Sequence, residues 1–153
     1  MKNRRNGNGV LQYASGAVYD GEWVDDRAAN KGEIIYANKD KYEGLFLNGK
    51  KHGRGVYHYN SGGKFRGEWA HDKKHGYGVM EYANGDRYEG TWQQGQRHGK
   101  GVYEYSNGDV YDGHWVNDKK EGAGMLEMAT GDRYEGEWAD GKKNGAGNFP
   151  IKI

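Results

Sequence analysis

Aromatic and polar positions alternate along this chain in runs of about five residues. Tyr42-Glu43-Gly44-Leu45-Phe46 and Gly55-Val56-Tyr57-His58-Tyr59 put rings and glycines on one parity and mostly polar side chains on the other. That is the period of two expected of a strand with one buried face. Between the two runs lies Asn48-Gly49-Lys50-Lys51-His52-Gly53, and after them Asn60-Ser61-Gly62-Gly63. Both are polar and glycine-bearing, as turns are. No segment carries apolar residues at a 3.6-residue interval, so almost no helix is expected.

The pattern recurs every 23 residues. An aromatic, any residue and glycine begin at Tyr19, Tyr42, Phe65, Tyr88, Tyr111 and Tyr134, and a second aromatic follows four residues later at Trp23, Phe46, Trp69, Trp92, Trp115 and Trp138. A fixed period of this length marks one small unit stacked on itself. Each unit supplies two strands and two turns. With a half repeat before Tyr19 and a last strand at residues 147–151, the count is thirteen strands. The expected fold is all-β, an elongated, twisted single antiparallel meander sheet of 23-residue hairpin repeats. The expected organisation is a basic arm over residues 1–8, an N-terminal half repeat as a cap over 9–18, six repeats over 19–151 and a C-terminal end at 152–153.

Of the 21 aromatic residues, 20 fall in four columns and only Tyr77 lies outside them. Glycines between the rings make room for them to fold over the backbone. The same parity gathers Tyr42, Phe46, Tyr57, Tyr59, Phe65, Trp69, Tyr82, Tyr88, Trp92, Tyr103, Tyr105, Tyr111, Trp115, Tyr134 and Trp138 on one face. These rings are mainly structural. A single sheet leaves a face uncovered, so they also form a candidate trough for an elongated helix or an extended peptide.

Composition narrows the chemistry. The 28 Gly and 13 Tyr accompany a hydrophobic fraction of 34%, so burial must come from rings rather than an aliphatic core. With no Cys, disulfides and thiolate chemistry are excluded, which fits an intracellular protein. No apolar run approaches the ~20 residues of a membrane span, and the basic start has no apolar stretch after it, unlike a signal peptide. The net charge of +1 gives no general attraction to nucleic acid, but it is unevenly spread. The turns after the second aromatics total +7 and residues 1–8 add +3, which leaves −9 for the remainder. Lys50, Lys51, His52, Arg54, Lys73, Lys74, His75, Arg97, His98, Lys100, Lys119, Lys120, Lys142 and Lys143 form this candidate rim for an acidic partner or anionic phospholipid. Phe149, Ile151 and Ile153 are apolar at a chain end, a candidate contact for a homodimer.

Apparent catalytic patterns fail on physical grounds. Gly44-x4-Gly49-Lys50 and Gly136-x4-Gly141-Lys142 resemble a phosphate loop, but Lys51 and Lys143 replace its Ser or Thr and no helix follows to hold phosphate. His52, His75 and His98 recur at the repeat period, two strands or roughly 10 Å apart, too far to share a zinc ion. No metal, cofactor or catalytic residue is expected.

Tyr88-Glu89-Gly90-Thr91-Trp92, then Gly95, His98-Gly99-Lys100-Gly101 and Asn107-Gly108-Asp109 resemble the MORN repeat (membrane occupation and recognition nexus). Tyr134-Glu135-Gly136-Glu137-Trp138 with Gly141-Lys142 matches equally well, and the resemblance runs over residues 6–149. Two units depart from the pattern: the first has Ala29-Asn30-Lys31-Gly32 in place of His-Gly-x-Gly, and the second has Leu45-Phe46 in place of Glu-Trp. The resemblance implies a non-catalytic module, at the cytoskeleton or a membrane junction, that binds proteins and self-associates. One alternative it leaves open is a peripheral module binding anionic phospholipid through the rim. Another is a regulatory segment of a larger enzyme.

Overall fold

The computed structural model describes residues 3–148. Phe149, Ile151 and Ile153, the expected dimer end, lie outside them. Thirteen strands follow in chain order: β1 Gly7–Gln12, β2 Val18–Val24, β3 Arg27–Ile35, β4 Lys41–Leu47, β5 Lys50–His58, β6 Lys64–Ala70, β7 Lys73–Glu81, β8 Arg87–Gln93, β9 Gln96–Glu104, β10 Val110–Val116, β11 Lys119–Glu127, β12 Arg133–Ala139 and β13 Lys142–Asn148. The order within the sheet is the order in the chain, one open antiparallel meander. The described residues hold no helix. Two compact units divide between Lys74 and His75, and each is built in the same way.

The hairpin turn within a repeat is tighter than the sequence suggests. A six-residue turn is expected over residues 48–53, but only Asn48 and Gly49 turn the chain, and β5 starts at Lys50. The cause is backbone conformation. Asn48 and Gly49 have φ of 50° and 81°, and Asp25 and Asp26 have 47° and 70°. Two successive left-handed residues make the two-residue turn whose twist suits a hairpin. The remaining glycine of the motif does a different job. Register shifts between Gly44 and Phe46, and Gly53, at φ 87°, takes up the bulge. In the first repeat Asn30 holds that place at φ 59°. Asparagine tolerates the left-handed region, so the departure from His-Gly-x-Gly leaves the bulge intact.

One glycine from each of β1 to β12 forms a row of cross-strand pairs: Gly9, Gly21, Gly32, Gly44, Gly55 and Gly67 in the first unit, and Gly78, Gly90, Gly101, Gly113, Gly124 and Gly136 in the second. Tyr19, Tyr42, Tyr88 and Tyr111, which open four of the repeats, lie over this row. A Cβ on Gly55 would sit 2.1 Å from the Tyr42 hydroxyl oxygen, and one on Gly101 would sit 2.1 Å from that of Tyr88. The tyrosine hydroxyls donate to their own strands at 2.8 to 3.1 Å, Tyr19 to the Glu22 carbonyl, Tyr42 to Leu45, Tyr88 to Thr91, Tyr111 to His114 and Tyr134 to Glu137.

Candidate functional site

The ring-bearing face is a filled layer. Tyr19, Tyr42, Phe65, Tyr88 and Tyr111 are fully buried, and Trp23, Phe46, Trp69, Trp92, Tyr103, Trp115, Tyr134 and Trp138 are buried as well. They cover one another edge-on: Tyr42 meets Phe46 at 5.1 Å and Trp69 at 5.4 Å, and Tyr111 meets Trp115 at 5.3 Å and Trp138 at 5.2 Å. Edge-to-face pairs of this spacing add about 0.5–1.5 kcal/mol beyond area burial. The indole N–H groups are spent too. Trp23, Trp69, Trp92, Trp115 and Trp138 donate to the carbonyls of Gly9, Gly55, Gly78, Gly101 and Gly124 at 3.0 to 3.4 Å. Phe46 stands where the others have Trp and has no such bond to give. Tyr57, Tyr59, Tyr82 and Tyr105 are half-buried. Most rings of the candidate trough thus cover one another, and these four tyrosines keep part of their surface open.

The basic rim separates into two kinds of cation. One set lies on the ring layer: the Lys51 ammonium is 5.2 Å from the Trp69 ring and 5.4 Å from Tyr36, the Arg97 guanidinium is 4.7 Å from Trp115, and the Lys120 ammonium is 5.0 Å from Trp138 and from Tyr105. Lys74 lies 5.3 Å from Tyr59 and Phe65, and Lys143 5.1 Å from Tyr134. These are attractive cation–ring contacts. They hold Lys51 at 9% exposure, and burial, with help from the Arg97 charge, lowers the Lys120 ammonium. The other set, Lys50, Arg54, Lys73, Lys100, Lys119 and Lys142, is exposed, as is His75, while His52 and His98 are half-buried. Among the described residues no three His, Cys, Asp or Glu side chains gather as metal ligands.

A second periodicity, of two repeats, organises the buried cations. The second turn residue is Asp at Asp26, Asp72 and Asp118, and Gly at Gly49, Gly95 and Gly141. Each Asp reaches back one repeat. Asp26 Oδ1 accepts the Arg5 backbone N–H and Nε at 2.8 Å, and Asp118 Oδ1 accepts those of Arg97 at 2.8 and 3.0 Å. Asp72 Oδ1 accepts the Lys51 backbone N–H at 2.8 Å and lies 3.5 Å from its ammonium. A hydrophobicity reading passes over this latch; the Asp/Gly alternation at one turn position is the signal that finds it.

A second set of carboxylates ties the far turns together. Asp40 accepts the Tyr57 hydroxyl at 2.8 Å and the Asn60 amide at 2.7 Å, and Asp86 accepts Tyr103 at 2.6 Å and Ser106 at 2.8 Å. The Asn60 amide bond holds Asp40 below the ordinary carboxyl value of 3.8, with Tyr57 adding to it against burial. At Asp86 burial is the largest influence and pushes upward, but the bonds from Tyr103 and Ser106 outweigh it and the carboxyl is again lowered. A carboxyl lowered by folding stabilises above its unfolded value, and that stability goes as pH falls through the folded value. The melting temperature should therefore drop as pH falls below about 4. Asp40→Asn should start lower at neutral pH and show a shallower acid decline, read from melting curves over a pH series.

The opposite face carries ion pairs such as Arg87–Glu104 at 3.0 Å and Lys41–Glu43 at 3.7 Å, and shallow depressions over the glycine row. One, of about 510 Å³, is lined by Asp112, His114, Met125, Glu135 and Glu137 among others. No nucleophile, base and orienting group converge in it.

Fold and site together define a repeat protein whose rings pack on one another on one face of the sheet. The MORN repeat matches the chain over residues 1–18, 19–41, 42–64, 65–87, 88–110, 111–133 and 134–149. The chain belongs to the MORN repeat family. Its fold is similar to that of the TCP10 domain of Danio rerio CPAP in complex with a peptide of Danio rerio STIL, with a TM-score of 0.53 and 16% identity, covering 95% of this chain and 65% of that one. The SAS-4 (dCPAP) TCP domain of Drosophila melanogaster, in complex with a proline-rich motif of Ana2 (dSTIL), aligns with a TM-score of 0.47 and 14% identity, covering 88% of this chain and 83% of that one. The curated proteins hold no match to the chain.

Proposed function

We propose that this chain is a non-catalytic scaffold that binds a segment of another protein on its open sheet surface. The observation that carries this reading is the division of labour between faces: rings, glycines and half of the cations are consumed by the fold, while the opposite face exposes Val24, Leu45, Leu47, Tyr77 and Val116. The fold shared with a domain solved in complex with a peptide supports the same reading, as does membership of a repeat family. Self-association through the C-terminal end around Phe149, Ile151 and Ile153 is part of the proposal, and so is an intracellular setting near the cytoskeleton. No helix among the described residues is long and apolar enough to cross a membrane.

A second reading is favoured by the exposed cations Lys50, Lys73, Lys119 and Lys142, which suit an anionic phospholipid surface at about 1 kcal/mol each. The readings part in one experiment. Partners captured by the immobilised chain are identified, made recombinantly and titrated by calorimetry, in parallel with flotation on phosphatidylserine vesicles. The scaffold reading expects saturable binding of a purified protein and no flotation. Flotation with no purified protein binding would overturn it. Sedimentation over a concentration range tests the dimer, and a monomer throughout refutes that part.

A further inference from the structure

The Leu45-Phe46 departure in the second repeat is only half explained by the ring layer. Phe46 lies in that layer; Leu45 lies on the opposite face. The matching residues of the other repeats are Glu22, Glu68, Thr91, His114 and Glu137, none of them apolar. Glu22 has a structural task there, since its Oε2 accepts the Lys31 amide at 3.0 Å. Leucine gives up that bond and instead lies against the bulge at Gly53, where an added Cβ would come 3.2 Å from Leu45 Cδ1. The fold loses a hydrogen bond and exposes an aliphatic side chain.

Register places Leu45 on one face with Val24, Arg27, Lys31, Leu47, Lys50, Arg54 and Glu68. Val24 pairs with Arg27, Leu45 with Lys31, Leu47 with Lys50, and Arg54 stands one strand further on, opposite Glu68. The three aliphatic side chains are exposed, Val24 at 47%, Leu45 at 37% and Leu47 at 48%. Arg54 is 88% exposed and only 3.9 Å from Glu68, and the side chains of Arg27, Lys31 and Lys50 have no ion pair among the described residues. A depression of about 380 Å³ opens beside Leu45, lined by Lys31, Gly32, Glu43, Gly44 and Arg54. Its one carboxylate, Glu43, is already paired with Lys41 at 3.7 Å and His58 at 3.1 Å.

We propose that this patch docks an extended acidic segment of a partner protein. The segment's carboxylates meet Arg27, Lys31, Lys50 and Arg54, and its alternate aliphatic side chains rest on Val24, Leu45 and Leu47, one of them entering the depression. Charge decides the occupant: a second copy presenting the same patch would oppose like charges, whereas an acidic strand satisfies four cations around an apolar centre. The proposal rests on the scaffold reading and assigns it a surface.

The probe is a short fluorescent peptide alternating Glu and Leu, titrated by anisotropy against the whole chain. Binding should weaken with salt. It should fall at least about tenfold in Leu45→Glu, which restores the residue type of three sister repeats and so keeps the fold, and again in Arg27→Glu/Lys50→Glu. Methyl spectra should shift at Val24, Leu45 and Leu47. Equal affinity for a Lys-Leu peptide, no binding of the Glu-Leu peptide, unchanged affinity in Leu45→Glu, or vesicle binding that this variant abolishes would each overturn the proposal. So would concentration-dependent self-association that Leu45→Glu abolishes. If the purified partner of the scaffold test binds Leu45→Glu as well as the parent chain, the patch is refuted and the scaffold reading stands.

Discussion

Replacing Gly101 by alanine should unfold the repeats around it, although the change adds one methyl group. Its Cβ would lie 2.1 Å from the Tyr88 hydroxyl oxygen and 2.3 Å from Cζ. Tyr88 has no free volume to move into, being fully buried, 5.1 Å from Trp92 and 5.4 Å from Trp115. The ring must tilt away, lose its bond to the Thr91 carbonyl and disturb both tryptophans. Overpacking typically costs 1–3 kcal/mol, and here the strained contact is with a rigid ring, so a loss of about 3 kcal/mol is expected. Gly95→Ala provides the contrast. Nothing lies within 4 Å of its added Cβ, and only the φ of 81° resists the change, at about 1 kcal/mol. Denaturant midpoints of the two variants should differ widely, and equal midpoints would refute the packing account.

Trp115→Ala should be as damaging for the opposite reason. The residue is 3% exposed, meets Tyr88 and Tyr111 edge-on, carries the Arg97 guanidinium on its ring at 4.7 Å and donates to Gly101 at 3.2 Å. Removing a buried Trp ring costs about 3–5 kcal/mol, and in a repeat array the loss falls first on neighbouring units. Trp115→Phe should retain most of the stability, because Phe46 fills the same place in the second repeat. Guanidinium unfolding followed by circular dichroism should show a lower midpoint and, for the alanine variant, a broadened transition as the neighbours open separately.

The strands were legible because their cause is local. Alternation by twos and a fixed interval between Tyr19, Tyr42 and the later starts place every first strand to within a residue. The tightness of the turns was not legible, since polarity marks residues 48–53 as a group while backbone angles divide them into a two-residue turn and a bulge at Gly53. The destination of the cations was hidden for another reason. Lys50 and Lys51 are adjacent and chemically identical, but successive strand residues face opposite ways, and only the folded register shows that Lys51 lies under Trp69 while Lys50 stays in solvent. Rings that share a face bury one another, and the reverse side keeps large apolar side chains exposed at Leu45, Leu47 and Tyr77.

The alternation of Asp and Gly at the second turn position sets an arithmetic for the chain's length. Asp72 meets Lys51, and Asp118 meets Arg97, each from the following repeat, so a unit with a latching carboxylate must be preceded by one with the cation it grips. Excising one Asp-turn unit such as 65–87, or duplicating one Gly-turn unit such as 42–64, would bring two turns of like kind together and leave one of these cations without its anchor. Excising or duplicating two at once would leave every such partnership in place. A chain built this way grows and shrinks most safely by even numbers.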